Sequence, residues 1–242
     1  MMRRAGIRRW IVRGIAVVLA PVMGFLTWSL ASDNFGTVRE GHVYRSGQMS
    51  AGAIERTVRA RGIKTVVNLR GAHPEKAEYR DEREAVLEAG ATQVDIAMSS
   101  CEWMSRAQAK TLVDVIDTFP RPILLHCWHG AERTGLASAF SELLRPGGSL
   151  ASARAQFSIR YMFLPIKDGA VMLSHLDQYE AWLREQRLEH APAHFRRWVD
   201  DGFRPGRPSR EQWPYDPYPL IVITRPAPEA VRMANEAARM RR

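Results

Sequence analysis

A chain of 242 residues, 45% hydrophobic and 25% charged, has the make-up of one folded domain with extensions, which excludes wholesale disorder and a multi-span membrane protein. Lys and Arg outnumber Asp and Glu by 35 to 26, and the formal net charge of +9 favours anionic partners: phosphorylated molecules, acidic lipid surfaces or nucleic acid. Nucleic acid ranks last, because zinc-finger spacing, an RNA-recognition signature and an aromatic-interleaved basic helix are all missing from the sequence, and the two cysteines, Cys101 and Cys127, exclude a disulfide framework and a multi-cysteine zinc site.

Arg3, Arg4, Arg8, Arg9 and Arg13 precede an uncharged apolar run from Gly14 to Ala31. Its 18 residues sit near the lower limit of about 17 for a bilayer span. The basic flank predicts a cytoplasmic N-terminus, which puts the remainder of the chain in the periplasm of a single-pass inner-membrane protein. Ser29-Leu30-Ala31 also fits a cleavage site, so export by a cleaved signal is the alternative to the preferred anchor.

From there the pattern alternates between helix and strand. Ser50–Arg61 reads as helix, Lys64–Leu69 as a β-branched strand, and Pro74–Glu88 as a charged helix with Pro in its first turn. Gln93–Met98 reads as a strand. A loop comes next, then a helix whose start, Ser105 to Gln108, fits a capping box. Pro122–His126 is an almost continuous apolar run, as a central parallel strand buried on both faces requires. Leu136–Leu144, Leu150–Ile159 and Met172–Gln186 read as helices; Gly202–Pro219 as loop; Leu220–Thr224 as a short strand; Pro228–Arg242 as a basic helix. The expected fold is α/β, a central, mostly parallel sheet flanked by helices, with an N-terminal membrane segment. The expected division is 1–33 anchor or signal, 34–190 catalytic domain and 191–242 C-terminal extension.

The chemistry concentrates in PILLHCWHGAERTG, where His126-Cys127 and Arg133-Thr134 bracket five residues between a predicted strand and a predicted helix. A loop of that size can curl its N–H groups round one anion, and the helix dipole adds positive potential. Such a site stabilises a thiolate, which makes Cys127 a candidate nucleophile near neutral pH. Arg133 can bind two phosphate oxygens in a fork. Thr134 can hydrogen-bond the sulfur, His126 suits a bracing role, and Gly130 gives the loop its freedom to turn. Trp128, His129, Gly130, Ala131, Glu132, Arg133 and Thr134 together form the candidate substrate-binding loop, with Trp128 expected to pack inward.

This constellation resembles the active-site loop of the protein-tyrosine-phosphatase superfamily, position by position from His126-Cys127 to Arg133-Thr134-Gly135. Val43–Gln48, Val66–Arg70 and Leu173–Leu183 resemble the flanking elements of atypical dual-specificity phosphatases, so the resemblance spans residues 40–185. It implies hydrolysis of phosphate monoesters through a phosphocysteine, with no metal or organic cofactor. It also implies an acid, usually Asp, some thirty residues before the cysteine. Glu102 is the candidate on the loop Ser99–Trp103; Asp95, within a strand, and Asp168 are the alternatives.

Cys101 reads as an ordinary loop thiol. Arg70 and His73 follow a strand end, where a substrate role is open. His42, His73, His175, His190 and His194 lack ligand spacing, so no metal site is expected. The nominal substrate is protein phosphotyrosine. A membrane-lipid phosphate, whether phosphoglycerolipid, phosphoinositide or outer-membrane glycolipid, is the alternative, and a non-catalytic phosphate-binding pseudophosphatase is the alternative of another class.

Overall fold

The computed structural model describes residues 17–206 and 219–240, except residues 18, 22, 26, 30 and 167 and the side chain of Asp168. Arg3 to Arg13, and part of the apolar run to Ala31, lie outside these residues. Among the described residues no helix is long and apolar enough to cross a membrane.

Six strands form one mixed sheet: β1 (Gly36–Arg39), β2 (Val43–Ser46), β3 (Thr65–Asn68), β4 (Thr92–Ile96), β5 (Ile123–His126) and β6 (Ile221–Thr224). Their order is β1-β2-β5-β3-β4-β6. The four inner strands are parallel, and the two outer ones, β1 and β6, pair antiparallel. Ile123, Leu124 and Leu125 of β5 have no exposed surface. That burial is why the run reads as continuously apolar rather than alternating.

Helices α1 (Ala51–Arg61) and α2 (Ala77–Glu88) cover one face, closing Ile54, Val58 and Val86 over Tyr44 and Leu124. Ser50 caps α1 through Ala53 N, and left-handed Gly62 ends it. The other face carries α3 (Arg106–Thr118), α4 (Glu132–Leu144), α5 (Leu150–Arg154), α6 (Asp168–Gln186) and α7 (Pro192–Arg197). The capping box at Ser105 and Gln108 is formed in full at the start of α3. The helix expected over Leu150–Ile159 ends at Arg154, a 3-10 turn covers Ile159–Tyr161, and α8 (Pro228–Met240) comes after β6.

The core runs on past residue 190. Helix α7 leads into a π turn, Trp198–Gly202, and Phe195, Trp198, Val199 and Phe203 are buried with Phe140 and Tyr179. Phe195 meets Phe140 edge-on at 4.9 Å and Tyr179 at 5.1 Å between ring centroids. Each such aromatic contributes about 1.5–3 kcal/mol by burial.

Strand β5 lies at the centre with β2 and β3 on either side, so the C-terminal ends of all three meet at one place. Open α/β sheets bind ligands at such ends.

Candidate active site

The loop leaving β5 runs from Cys127 to Ala131 and opens directly into α4, which begins at Glu132 rather than at Leu136. Arg133, Thr134 and Gly135 are therefore helical, and the first turn of α4 presents its free N–H groups to the loop.

The loop carbonyls are held outward. Trp128 O accepts from Gln48 N at 2.9 Å, His129 O from Asn34 Nδ2 at 2.9 Å, and Gly130 O from Arg45 Nη2 at 2.7 Å. Three successive peptide units are thus pinned by donors from three segments. Their N–H groups are left for the concave side, as an anion cradle requires. Gly130 has φ +76°, and a Cβ there would stand 2.7 Å from Ser46 and Gly47 backbone atoms, so no other residue fits without displacing β2.

Cys127 is 1% exposed, and its sulfur accepts from Gly130 N at 3.3 Å. Burial pushes the thiol up, but the Arg133 guanidinium and hydrogen bonds from Thr134 and Gly130 outweigh it and hold Cys127 below the ordinary thiol range. Arg133 donates through Nη1 to Met98 O at 3.2 Å, which ties it to the loop after β4.

Arg45 has no exposed surface. Besides Gly130 O it binds Gln156 O at 2.7 Å and lies over the Tyr161 ring at 3.6 Å; burial draws its guanidinium down to about 10. Neither Arg45 nor Asn34 stands out in sequence as a loop support. Both act across more than eighty residues of chain.

Trp128 is 47% exposed rather than packed inward, and Arg70 stacks over its ring at 4.4 Å. His129 is exposed, Ala131 buried and Glu132 half-buried. Arg70 is thereby brought to the loop, while His73 folds back, its Nε2 3.1 Å from Arg70 O.

Of the carboxylates considered for the acid, Asp95 is fully buried and accepts from Tyr79 Oη at 2.7 Å, Asn68 Nδ2 at 2.9 Å and Gln93 Nε2 at 3.1 Å. Its oxygens are committed to the sheet. Glu102 is half-buried on the loop that Arg133 touches through Met98, and the Asp168 side chain is outside the described residues. Cys101 is an exposed free thiol 3.4 Å from Ser99 Oγ. His175 is buried, accepts from Met104 N at 3.2 Å, and is drawn by burial down to about 4, so it is a neutral core histidine. Among the described residues no cluster of His, Cys, Asp and Glu could hold a metal ion.

Residues 18–167 match the family model described as a DSP-PTPase phosphatase fused to NAD+ kinase. The chain belongs to this phosphatase family. It is an atypical dual-specificity, protein-tyrosine-phosphatase-like member. Among solved structures the phosphatase is similar to TpbA of P. aeruginosa, at 17% identity over 71% of this chain and 93% of that one, with a TM-score of 0.49. It is also similar to the catalytic core of the PP-IP phosphatase Siw14 of S. cerevisiae, at 21% identity over 64% and 93% of the two chains, TM-score 0.46. No curated protein matches it.

Proposed function

We propose that this phosphatase hydrolyses phosphate monoesters in two steps, Cys127 attacking phosphorus and water then releasing inorganic phosphate from the phosphocysteine. The observation that carries this reading is the buried Cys127 sulfur beneath a loop whose carbonyls at Trp128, His129 and Gly130 all point away, with Arg133 at the mouth. Arg133 and the loop N–H groups bind the equatorial oxygens and take up charge as it develops. Thr134 stabilises the departing thiolate in the second step. Protein phosphotyrosine is the nominal substrate, and the half-exposed Trp128 indole offers an aromatic surface to its ring.

Glu102 is the proposed acid for the leaving alcohol. Glu102→Gln is expected to slow alkyl phosphates about a hundredfold and p-nitrophenyl phosphate, whose leaving group needs no proton, by less than about fivefold. Equal losses on both substrates would remove Glu102 from that role.

A lipid phosphate is the second reading, and a surface feature favours it. Ile159, Leu164 and Ile166 are 72%, 55% and 62% exposed, and Arg160 stacks over Trp28 at 4.1 Å. This apolar loop therefore lies beside the helical residues within 17–31, where Val17, Leu19 and Met23 are also exposed. Apolar side chains, a tryptophan and arginines together suit an anionic bilayer surface. On this reading residues 1–33 anchor the phosphatase in the inner membrane with the site in the periplasm.

One assay tests both readings: phosphate release by the full chain from a panel of phosphotyrosine peptides and from vesicles carrying a phosphate-headgroup lipid. The lipid reading expects faster release from vesicles, falling as salt screens the surface. A salt-independent preference for the peptides restores the protein substrate.

A further inference from the structure

Beneath the phosphate loop lies a second set of charges that phosphate itself would not touch. Glu82, on α2, is 2% exposed, and its Oε1 lies 3.1 Å from His126 Nε2. Gln93 Nε2 donates to the same oxygen at 3.1 Å, and Gln48 Nε2 donates to Oε2. A carboxylate this deep in the protein is tolerated when donors and a cation surround it. His126, with no exposed surface, is the group able to supply that cation.

The set connects both ends of the site. His126 precedes Cys127 in the chain, and its own carbonyl is fixed by Leu69 N at 2.9 Å. The Gln48 amide has its orientation set from both sides, because its oxygen accepts from Arg70 Nη1 at 2.7 Å while its nitrogen serves Glu82. Rim, amide, carboxylate and imidazole thus follow one another, and Cys127 is the next residue in the chain.

We propose that Glu82 is a positioning residue for the nucleophile: it holds His126 as an imidazolium behind Cys127 and so lowers, alongside Arg133, the pH at which the thiolate forms. The proposal rests on the reading of Cys127 as nucleophile. Burial disfavours the imidazolium, and the Glu82 carboxylate overcomes this, holding His126 above its ordinary range. Glu82 is in turn held low by His126 and by its Gln93 and Gln48 bonds, against the opposing effect of burial.

Of the other charged groups nearby, the Arg70 guanidinium opposes the imidazolium, and the Glu82 carboxylate outweighs it. Asp95 bonds Tyr79, Asn68 and Gln93, Arg70 is engaged by Gln48, and Arg133 reaches Met98 O. Removing the Glu82 charge leaves His126 buried with no carboxylate against it, so it sheds its proton, and Cys127 loses the cation next to it. The thiolate then forms at higher pH.

The test uses the full chain carrying Cys101→Ser, which leaves Cys127 as its one cysteine, and follows alkylation by iodoacetamide against pH. Glu82→Gln is expected to raise the midpoint by about one pH unit. Glu82→Asp should recover part of the difference, and the acid limb of kcat/KM on p-nitrophenyl phosphate should move with the thiol. A residue that merely supports the fold would lower reactivity at every pH and leave the midpoint in place, and that result would overturn the proposal. Should Glu82→Gln fail to fold, the His126 ring-proton shift in the unmutated protein decides: an imidazolium shift that persists above the ordinary value of about 6.5 supports it, while a neutral-imidazole shift throughout, or titration at or below that value, overturns it. Alkylation reads the sulfur whether or not turnover occurs, so a shifted midpoint in a protein that releases no phosphate would remove the catalytic reading and leave the role of Glu82 standing.

Discussion

Cys127→Ser is expected to lower hydrolysis of p-nitrophenyl phosphate by roughly a thousandfold or more, while inhibition by inorganic phosphate changes by less than about threefold. A serine hydroxyl in the same place would have to ionise in a buried site, and its acidity lies far from that of a thiol. Arg133 and the hydrogen bonds from Thr134 and Gly130 stabilise a thiolate already close to forming, whereas they cannot make an alkoxide near neutral pH. The cradle itself is unaffected. Its shape comes from Asn34, Arg45 and Gln48, none of which depends on the sulfur. Initial rates at saturating substrate, with competition by phosphate, separate the two effects. A serine variant retaining more than a few per cent of the rate would exclude the thiolate mechanism.

Arg133→Lys, although it conserves charge, is expected to cost about a thousandfold in kcat/KM, and Arg133→Ala still more, with phosphate inhibition lost as well. The guanidinium has one arm fixed on Met98 O at 3.2 Å, which orients the plane of the fork towards the loop. Lysine brings one point of charge and no such plane, so it can hold one oxygen but cannot track two through the change in geometry at phosphorus. The Ala variant also withdraws the principal support of the thiolate, so its activity should fall further at low pH than at high pH. A Lys variant within about tenfold of the unmutated enzyme would show that charge alone suffices and would refute the bidentate role.

What could be read from the sequence is what depends on neighbours in the chain. Strand β5, the capping box at Ser105 and the loop that leaves β5 at Cys127 are local patterns, and each lies where its pattern puts it. The start of α4 shows the limit. Thr134-Gly135 has weak helical preference, yet packing of Leu136 and Phe140 carries the helix back to Glu132. The supports of the loop were less legible. Asn34 is a polar residue in a left-handed turn before β1 and Arg45 one in the short strand β2, and only the folded chain, with β2 beside β5, places them against His129 and Gly130. Residues 192–203 look like a tail because Pro and Gly come after them, but Phe195, Trp198 and Phe203 find their partners on α4 and α6, far away in sequence. Trp128 is the converse, a large aromatic that composition assigns to the interior and the loop geometry turns outward.

Strand β6 has a consequence for the integrity of the molecule in solution. It pairs with β4 from Gln93↔Thr224 to Ile96↔Ile221 and leaves β4 an interior strand. A chain cut before residue 219 would keep the phosphate loop but uncover a full row of β4 backbone donors and acceptors, next to the apolar Val94 and Ile96. Bare edges of that kind recruit another strand. Proteolysis in the tail would then show itself first as self-association between shortened copies through β4, with catalytic chemistry intact until precipitation removes the enzyme.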